Sequence, residues 1–448
     1  MTQVSFNRRV WALALPIMAT NVTVPFLGLV DTAVVGRLPG AEYMGAVAIG
    51  AVIMNVIYSS LNFLRMGTTG LTAQSFGAGD ADQMRSWLAR ACLLSAVLGL
   101  GLIALQLPIL GVSHWLMGAS DAVWPLTESY FQIRIWGAPA ALLNFALLGW
   151  FFGVQNMRAA LITQVFLNGL NIVLDVWFVL GLGWGVDGVA WATIISEYAA
   201  VALGLWLAVR QLAKLGGRWR WDRIRDTSRI RRMLGVNRDI FIRSMCLQAA
   251  FVVFTSAGTR MGDEVLAANA LLLQFSMFTA YALDGFANAA EAMVGQAVGA
   301  HDRTLFRQAV KITTGWSIVF ALMFMVAYWL FGTAIIDVLS TVPVVRETAY
   351  AYLPWMVALP VIAVWSFQFD GIFIGATWTR EMRNSMAMSF AAFAVAVPLV
   401  TATWGNHGLW AAFTVFMSLR GVTMGLMLPK LARGVGVGPR PDGSGDGP

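Results

Sequence analysis

The sequence predicts an all-α membrane protein with twelve transmembrane helices in two pseudo-symmetric bundles of six. Three observations support this fold class. Apolar residues make up 58% of the 448 residues and charged residues only 12%, about half the charged fraction of a soluble domain. Apolar stretches long enough to cross a bilayer follow one another along the chain. Finally, residue types recur at a constant spacing of 222 positions.

The internal repeat holds one offset over most of the chain. The recurring residues include Gln74, Gly77, Ala78, Asp80 and Arg85, matched by Gln296, Gly299, Ala300, Asp302 and Arg307. Chance matches would scatter over many offsets, and a period near half the chain is too long for a solenoid. In a membrane protein, two like halves are typical of a transporter that rocks one half against the other around a central site.

Twelve spans are predicted, each near or above the ~20 residues that cross the hydrocarbon. The first six are 10–36, 44–76, 86–112, 123–153, 157–181 and 186–209. The last six are 239–260, 266–298, 311–336, 347–376, 384–404 and 407–429. The predicted units are therefore an N-lobe (1–209), a basic linker (210–238), a C-lobe (239–434) and a tail (435–448). The tail is rich in Gly, Pro and Asp, and we expect it to be disordered.

Basic residues concentrate on one side of these spans. The linker contains ten arginines and lysines, whereas the opposite loops offer little more than Arg37, Arg260 and Arg346. The positive-inside rule therefore predicts that both termini and the linker are cytoplasmic, in an inner (plasma) membrane protein. The net charge of +7 lies beside lipid, and we attribute it to topology and anionic headgroups rather than to nucleic-acid binding.

Several kinds of chemistry are not expected. Cys92 and Cys246 follow no CxxC spacing, so neither a disulfide framework nor a metal site is indicated. The chain contains no GxxxxGK[ST] phosphate-binding loop, so energy must come from an ion gradient rather than from ATP. Without a nucleophile motif or a cluster of metal ligands, we expect no enzyme activity and no cofactor.

Polar residues inside the N-lobe spans predict an ion site. An ionisable side chain at bilayer depth costs at least ~2.5–3.5 kcal/mol and so indicates function. Asn168, Asn171 and Asp175 have the spacing of one helix face. Asp31, Asp175 and Thr193 lie five to seven residues from the outer ends of their helices, at a common depth of about 8–10 Å. Two acids at one depth cannot both be ionised cheaply, which predicts a proton or Na⁺ site. The alternative is a structural role in bundle packing.

The C-lobe repeats this pattern less completely. Asp284 and Glu291 are seven apart on the eighth span, hence on one face, and Asp370 lies on the tenth. Arg65, on the second span, has a depth comparable with Glu291 and is positioned to pair with an acid across a central cleft. The alternative is that Arg65 satisfies local carbonyls. We regard these four, together with Asn168, as substrate-cavity or gating residues.

The charges of the buried residues suggest a substrate preference. The candidate cavity cations are Arg65, Arg134 and Arg243, against five or six buried acids. An excess of negative charge in a cleft attracts cations. We therefore expect organic cations to be preferred over anions of similar size.

Four segments resemble the multidrug and toxic compound extrusion (MATE) family, in particular its DinF-like branch. They are Leu15-Pro16 with Asp31-Thr32 and Val35-Gly36, the string Leu64–Gln74, the pair Asn171-x3-Asp175, and Leu283–Phe286 with Ala290-Glu291 and Gly295-Gln296. The resemblance covers nearly the whole chain except the tail. It implies a V of two six-helix bundles around a central cavity.

The resemblance also implies an activity. Family members export bulky, often cationic amphiphiles against an inward flow of H⁺ or Na⁺. Asp31, Asn171, Asp175 and Thr193 match the family's N-lobe cation site. The chain departs from the NorM-like branch on the seventh span, where only Gln248 stands near that branch's glutamate. We accordingly expect a monomeric multidrug exporter whose partners are drugs or toxic metabolites, H⁺ or Na⁺, and membrane lipids.

A lipid-linked precursor flippase is the alternative function. The wider superfamily contains such proteins, and they use the same V-shaped cavity. Flippases of that kind need a cationic cavity for a diphosphate, however, and here buried acids outnumber the candidate cations. The resemblance therefore favours drug export.

Overall fold

The computed structural model describes residues 3–38 and 40–436, and within them every regular element is helical. The first half contains α1 (Gln3–Val35), α2 (Ala41–Gly77), α3 (Ala81–Ala104), α4 (Trp124–Gly153), α5 (Met157–Gly181) and α6 (Gly185–Leu215). The second half contains α7 (Thr227–Thr259), α8 (Asp263–Gly299), α9 (Arg303–Leu339), α10 (Pro343–Gly375) and the continuous segment Thr379–Gly434.

The number of membrane spans agrees with the predicted twelve. Ten helices in the described part of the chain are long and apolar enough to cross a membrane. One of them, Thr379–Gly434, is bent at Gly405, where φ is 53°; its arms, 379–404 and 406–434, are α11 and α12. The 33-residue helix α1 completes the set. The all-α, multi-pass membrane fold is therefore confirmed.

Local irregularities divide three of the helices. The helix α2 is interrupted at Asn62, α4 tightens into a 3₁₀ turn at Ile135–Gly137, and α5 widens into a π-helical turn at Val176–Gly181. Such breaks release backbone groups and often mark functional positions. Arg65, Arg134 and Asp175 each lie within three residues of one of these breaks.

The two halves meet through an equivalent pair of contacts. A side chain at Gly77 would place its Cβ 2.0 Å from the carbonyl oxygen of Gln296, and one at Gly299 would place it 1.9 Å from the carbonyl oxygen of Gln74. These residues are related by the repeat, so α2 and α8 cross around a local two-fold axis. Only glycine permits so close an approach of two backbones.

Side chains reinforce this crossing on the same face of the bundle, which we name the linker face because it carries residues 216–226. Gln155 Nε2 donates to Gln296 Oε1 at 3.1 Å, and Arg9 donates to both glutamines. At the equivalent position, Gln74 Nε2 donates to Thr377 Oγ1 at 3.0 Å. Residues 155 and 377 are also 222 apart, and both adopt a positive φ. The linker face is therefore closed by two matching clusters.

The basic linker is shorter than predicted. The helix α6 continues to Leu215 and α7 begins at Thr227, so only residues 216–226 lie between them. Asp226 caps α7 by accepting from the backbone N–H groups of Ser228 and Arg229. Hydropathy detects only the apolar part of a helix, and these helices extend into water as basic turns.

Other boundaries differ for the same reason. The predicted span 86–112 is two helices, Ala81–Ala104 and Gln106–Met117, and α9 is longer at both ends than 311–336.

Some linker arginines bind other parts of the protein: Arg223 Nη1 lies 2.8 Å from both oxygens of Asp80. The predicted disordered tail lies, from residue 437 onward, outside the described residues.

Candidate functional site

Two aspartates from different helices meet in the first half. Asp31 lies near the end of α1, and Asp175 lies where α5 passes into its π-helical turn. Their carboxyl groups are within hydrogen-bonding reach of each other. Oδ1 of Asp31 and both oxygens of Asp175 have no donor among the described residues. Two carboxyl groups this close are costly to ionise together, so the arrangement favours a bound proton or cation.

Neutral polar groups from α5 and α6 lie beside the two aspartates. Asn171, one turn before Asp175, is 1% exposed, and its Nδ2 donates to Thr193 Oγ1 at 3.4 Å. The Thr193 hydroxyl in turn donates to a backbone carbonyl of its own helix at 2.9 Å. Asn168 is also buried, about one turn farther from the carboxyl pair, and accepts from Gln164 Nε2 at 3.3 Å. The side chains chosen by depth therefore lie together on α1, α5 and α6.

A buried ion pair lies close to the aspartates. Arg134 on α4 binds Glu197 on α6 through two parallel hydrogen bonds of 3.1 and 2.9 Å, and each side chain is 8% exposed. The guanidinium also stacks over the Tyr58 ring at 5.6 Å. Arg134 is close enough to act electrostatically on both Asp31 and Asp175.

The sequence did not predict this pair. Arg134 was expected as a cavity cation, but it faces the aspartates of the first half, and Glu197 was not identified. Glu197 lies four residues after Thr193 on an apolar helix, hence on the same face, and that spacing was the available signal. Gly137 makes room for the pair, because a Cβ there would lie 2.5 Å from Glu197 Oε2.

A cavity of about 460 Å³, which we name the central cavity, is lined mainly by the second half and is bordered by α2 of the first. Its walls come from α2, α7, α8, α10 and α12, and its apolar lining includes Phe251, Phe367 and Met277. The predicted residues Arg65, Asp284, Glu291 and Asp370 all line it. Such a mixture of apolar surface with a few convergent charges is typical of a small-molecule site.

On one side of the cavity, two arginines bind a single aspartate. Arg243 Nη1 and Arg420 Nη2 each lie 2.9 Å from Asp370 Oδ2. Both arginines are almost fully buried, at 4% and 2% exposure. Arg420, on α12, was not identified from the sequence, because its only signal was a charge in an apolar helix.

The helices α8 and α2 also line the cavity, and α8 contacts the backbone of α10 at Ala287–Gly371. Asp284 and Glu291 lie on α8, and Glu291 interacts with Thr69 of α2. Arg65 crosses between the halves, but its partners are amides: Asn288 Oδ1 at 2.8 Å and Asn62 Oδ1 at 3.3 Å. Arg65 therefore makes no direct ion pair among the described residues, although its charge acts on both Asp284 and Glu291.

The cavity does not have the predicted excess of negative charge. Its described lining contains three arginines and three acids, and the predicted acids Asp31 and Asp175 lie outside it, in the first half. The expectation failed because sequence assigns a charge to a helix without indicating which cavity that helix face borders. A general preference for cations does not follow from this charge balance.

Comparison with known proteins identifies the family. The MatE family model matches the chain twice, at residues 16–177 and 240–401. DNA damage-inducible protein F of Escherichia coli strain K12 is 45% identical over 429 residues, covering 94% of this chain and 91% of that protein.

The chain belongs to the MATE family.

Two further comparisons extend this result. The probable multidrug resistance protein NorM of Acinetobacter baylyi is 23% identical, covering 95% of this MATE protein and 96% of the relative. A solved structure of a multidrug resistance MATE family transporter in an outward-facing conformation superposes with a TM-score of 0.84 at 20% identity, covering 96% of each chain. The protein is therefore a multi-pass membrane transporter of small molecules and not an enzyme.

In this MATE protein one helix touches both sites. The helix α1 packs against α5, which carries Asp175. It also packs against α8, which contributes Asp284 and Glu291 to the cavity lining. Asn21 of α1 donates to the Tyr281 carbonyl of α8 at 3.0 Å. Gln248, the residue near the position of the glutamate in the NorM-like branch, links α7 to α2. Its Nε2 donates to Ser59 Oγ at 2.8 Å.

Proposed function

We propose that the protein is a secondary active exporter that exchanges amphiphilic organic molecules for H⁺ or Na⁺ by alternating access. The proposed ion site comprises Asp31, Asp175, Asn171 and Thr193, and the proposed substrate site is the central cavity. We further propose that it works as a monomer in the inner membrane, with both termini and the linker in the cytoplasm.

The pairing of Asp31 with Asp175 carries this proposal. Two buried carboxyl groups in contact, with three oxygens lacking any described protein donor, are costly unless a proton or cation is bound. A structural pair would be completed by protein donors, as Glu197 is by Arg134. The incomplete pair supports reversible ion binding.

Closure of the linker face supports alternating access. The backbones of α2 and α8 are in contact at Gly77 and Gly299, which brings the two halves together at that face. Export requires a second state in which the linker-face clusters separate and substrate enters from the cytoplasm. Tight glycine packing favours two discrete arrangements over continuous deformation.

Coupling between the sites is proposed to run through α1. Asp31 is on α1, so a change of its charge alters the contact with α5. The same helix forms part of the contact with α8, at Asn21. Pro16 and Pro25 each remove a backbone donor, which leaves α1 prone to bend when that contact changes.

The flippase alternative is not favoured. A diphosphate carries several negative charges, and the cavity lining offers three arginines that three acids balance. Moreover, the NorM relative is named as a probable multidrug resistance protein.

Transport in proteoliposomes tests the proposal. With ethidium as a fluorescent substrate, a proton gradient or a Na⁺ gradient is imposed alone, and accumulation or efflux is followed. We expect one of the two gradients to drive transport. Asp31→Asn and Asp175→Asn should abolish the driven component, because an amide cannot bind and release a proton.

The control variant is Asp222→Asn, which removes an exposed carboxylate paired with Arg220 in the linker. It should transport like the native protein. Failure of both gradients with native protein that binds the dye, or full driven transport by both amide variants, would overturn the proposal.

A further inference from the structure

The linker-face end of α6 carries a stripe of exposed aromatic and basic side chains. Trp206, Arg210 and Lys214 follow one another at intervals of four residues, which places them along one side of the helix. All three are exposed, and the guanidinium carbon of Arg210 lies 3.7 Å from the centroid of the Trp206 ring. The apolar part of α6 therefore ends in an exposed aromatic ring that is covered by a cation.

A second exposed tryptophan is held at the end of the same helix by Arg85 of α3. Arg85 donates to the carbonyl oxygens of Leu212 and Gly216 at 2.7 and 2.9 Å. The centroid of the Trp219 ring lies 5.4 Å from the same guanidinium, and Trp219 is 49% exposed. Gly216 and Gly217 have φ of 75° and 77°, which lets the chain turn sharply after α6. The linker is therefore folded here, and it places its tryptophan beside α6.

These side chains form a positively charged surface that includes Trp206, Arg210, Lys214 and Trp219, and we name it the interfacial patch. Arg210 and Lys214 form no ion pair among the residues that the structure describes. Farther along the linker, by contrast, Arg220 and Arg223 are paired with aspartates at 2.8 Å. Arg85, beneath the patch, donates to carbonyl groups and keeps its charge. The patch is therefore a surface of unpaired cations beside exposed indole rings.

The equivalent end of the second half lacks this patch. Moved by 222 residues, the stripe on α6 becomes Leu428, Ala432 and Gly436, and Arg85 becomes Arg307. The arginine at the start of the following helix is thus repeated, whereas the tryptophan–arginine stack is not. Helix packing at this level does not require the stack, which indicates a separate role for it in the first half.

We infer that the interfacial patch binds the headgroup of an anionic phospholipid at the linker face. The phosphate binds at Arg210 and Lys214, and the indole rings of Trp206 and Trp219 lie where the headgroups meet the acyl chains. Amphipathic indole rings prefer this level of a bilayer. Each basic residue near an anionic membrane surface adds about fivefold to the affinity. A zwitterionic lipid carries the same phosphate, but its own cation cancels this attraction.

Phosphatidylglycerol and phosphatidylcholine with identical acyl chains form a matched pair of probes. Native mass spectrometry of the purified protein in detergent, titrated with either lipid, gives the affinity for the first lipid bound. We expect phosphatidylglycerol to bind at least about fivefold more tightly than phosphatidylcholine. It should also raise the apparent melting temperature more, because a ligand that binds only the folded state stabilises that state.

Substitutions that copy the second half should remove this preference. Arg210→Ala should weaken phosphatidylglycerol binding about fivefold with little change for phosphatidylcholine, and Arg210→Ala/Lys214→Ala should abolish the preference. Arg210→Lys keeps the charge and should keep most of it. The matched control is Lys430→Ala, which removes an exposed cation from the equivalent end of α12 and should keep the native ratio.

Size-exclusion profiles identify variants that fail to fold, and Trp206→Leu is the second variant for that case, with the same direction of change expected. Equal affinity for the two lipids in native protein, or a ratio that Lys430→Ala lowers as much as Arg210→Ala does, overturns the inference. Displacement of phosphatidylglycerol by inorganic phosphate would assign the patch to a free anion instead. A native dimer that Trp206→Leu converts to a monomer would assign it to a second copy of the chain. Because no gradient is used, the result is independent of whether transport is ion-driven.

Discussion

The two halves of the molecule share a backbone plan but differ in chemistry at equivalent positions. Moved by 222 residues, Asp31, Asn171 and Asp175 become Val253, Phe393 and Val397. Phe393 and Val397 are buried in an apolar cluster with Phe413, whose ring centroid is 6.3 Å from that of Phe393. The position that holds a carboxyl pair in the first half is therefore part of an apolar aromatic core in the second, and Val253, Phe393 and Val397 offer no oxygen or nitrogen side-chain ligand.

The acids that line the cavity are found in the second half and are absent at the equivalent positions of the first. Asp284 and Glu291 correspond to Asn62 and Thr69, and Asp370 corresponds to Leu148. The acids that line the cavity thus belong to the second half, while the carboxyl pair belongs to the first. The difference teaches that the repeat fixes helix positions and crossings, and that side chains then place the carboxyl pair in one half and the cavity acids in the other.

Breaking the buried pair Arg134–Glu197 should have the largest effect on stability. Arg134→Gln leaves Glu197 as an uncompensated buried charge, which costs about 3–5 kcal/mol. The second half has Met356 and Leu419 at the equivalent positions. The double variant Arg134→Met/Glu197→Leu, which copies the second half, should recover most of the loss. Apparent melting temperature in detergent measures both, and an unchanged value for Arg134→Gln would contradict this account.

Asp175→Asn should have the largest effect on transport. Driven efflux should fall about 100-fold, equivalent to about 2.7 kcal/mol, because the carboxyl pair can no longer exchange its proton. Dye binding should persist, since the cavity is a separate site. The reciprocal control is Val397→Ala, at the equivalent position of the second half, which should leave coupling intact. Retention of driven efflux by Asp175→Asn would remove the functional distinction between the halves.

Substitutions at Gly77 and Gly299, where α2 and α8 cross at the linker face, should have equal effects on transport. Gly77→Val and Gly299→Val each force a Cβ toward a carbonyl oxygen, that of Gln296 or Gln74, and should open the linker face. We expect about a tenfold loss of efflux for each, and longer distances between spin labels placed on the turns after α2 and α8. A large difference between the two variants would show that the two-fold contact is not functionally symmetric.

A smaller effect is expected at Thr193. Thr193→Val keeps the shape but removes the hydroxyl that accepts from Asn171 Nδ2 at 3.4 Å. The hydrogen bond is long, so the loss in ion affinity should correspond to about 0.5–1.5 kcal/mol. Thr193→Ser retains the hydroxyl and should bind the ion like native protein. The measurement is the ion concentration that gives half-maximal efflux; equal values for the valine and serine variants would exclude a role for the hydroxyl.

Sequence predicted the fold more completely than the site. Apolar length and the repeat gave the number of spans, because hydropathy is a local property of each helix. Helix periodicity and depth also predicted Asp31, Asp175 and Thr193 at one level, and the structure shows that Asn171 of the predicted set hydrogen-bonds Thr193. Their role as an ion site stays a prediction.

Contacts between helices distant in sequence could not be predicted in this way. The pair Arg134–Glu197 joins residues 63 apart, and Arg420 meets Asp370 across 50 residues. Helix rotation decides which charges meet, and rotation is set by the packing of all neighbours. For that reason the sequence identified Arg134 and Arg243 without their partners, missed Glu197 and Arg420, and predicted an excess of negative charge that the cavity lining does not have.

The central claim is that ion binding occurs at Asp31 and Asp175 and is coupled to substrate binding elsewhere. Linkage requires that a bound substrate changes proton affinity at the ion site. The direct measurement is proton release when dye is added to purified protein in weakly buffered detergent solution. We predict release by native protein and by Asp370→Asn, and none by Asp175→Asn although it still binds dye. Release that persists in Asp31→Asn and Asp175→Asn, or that disappears only in Asp370→Asn, would contradict the account.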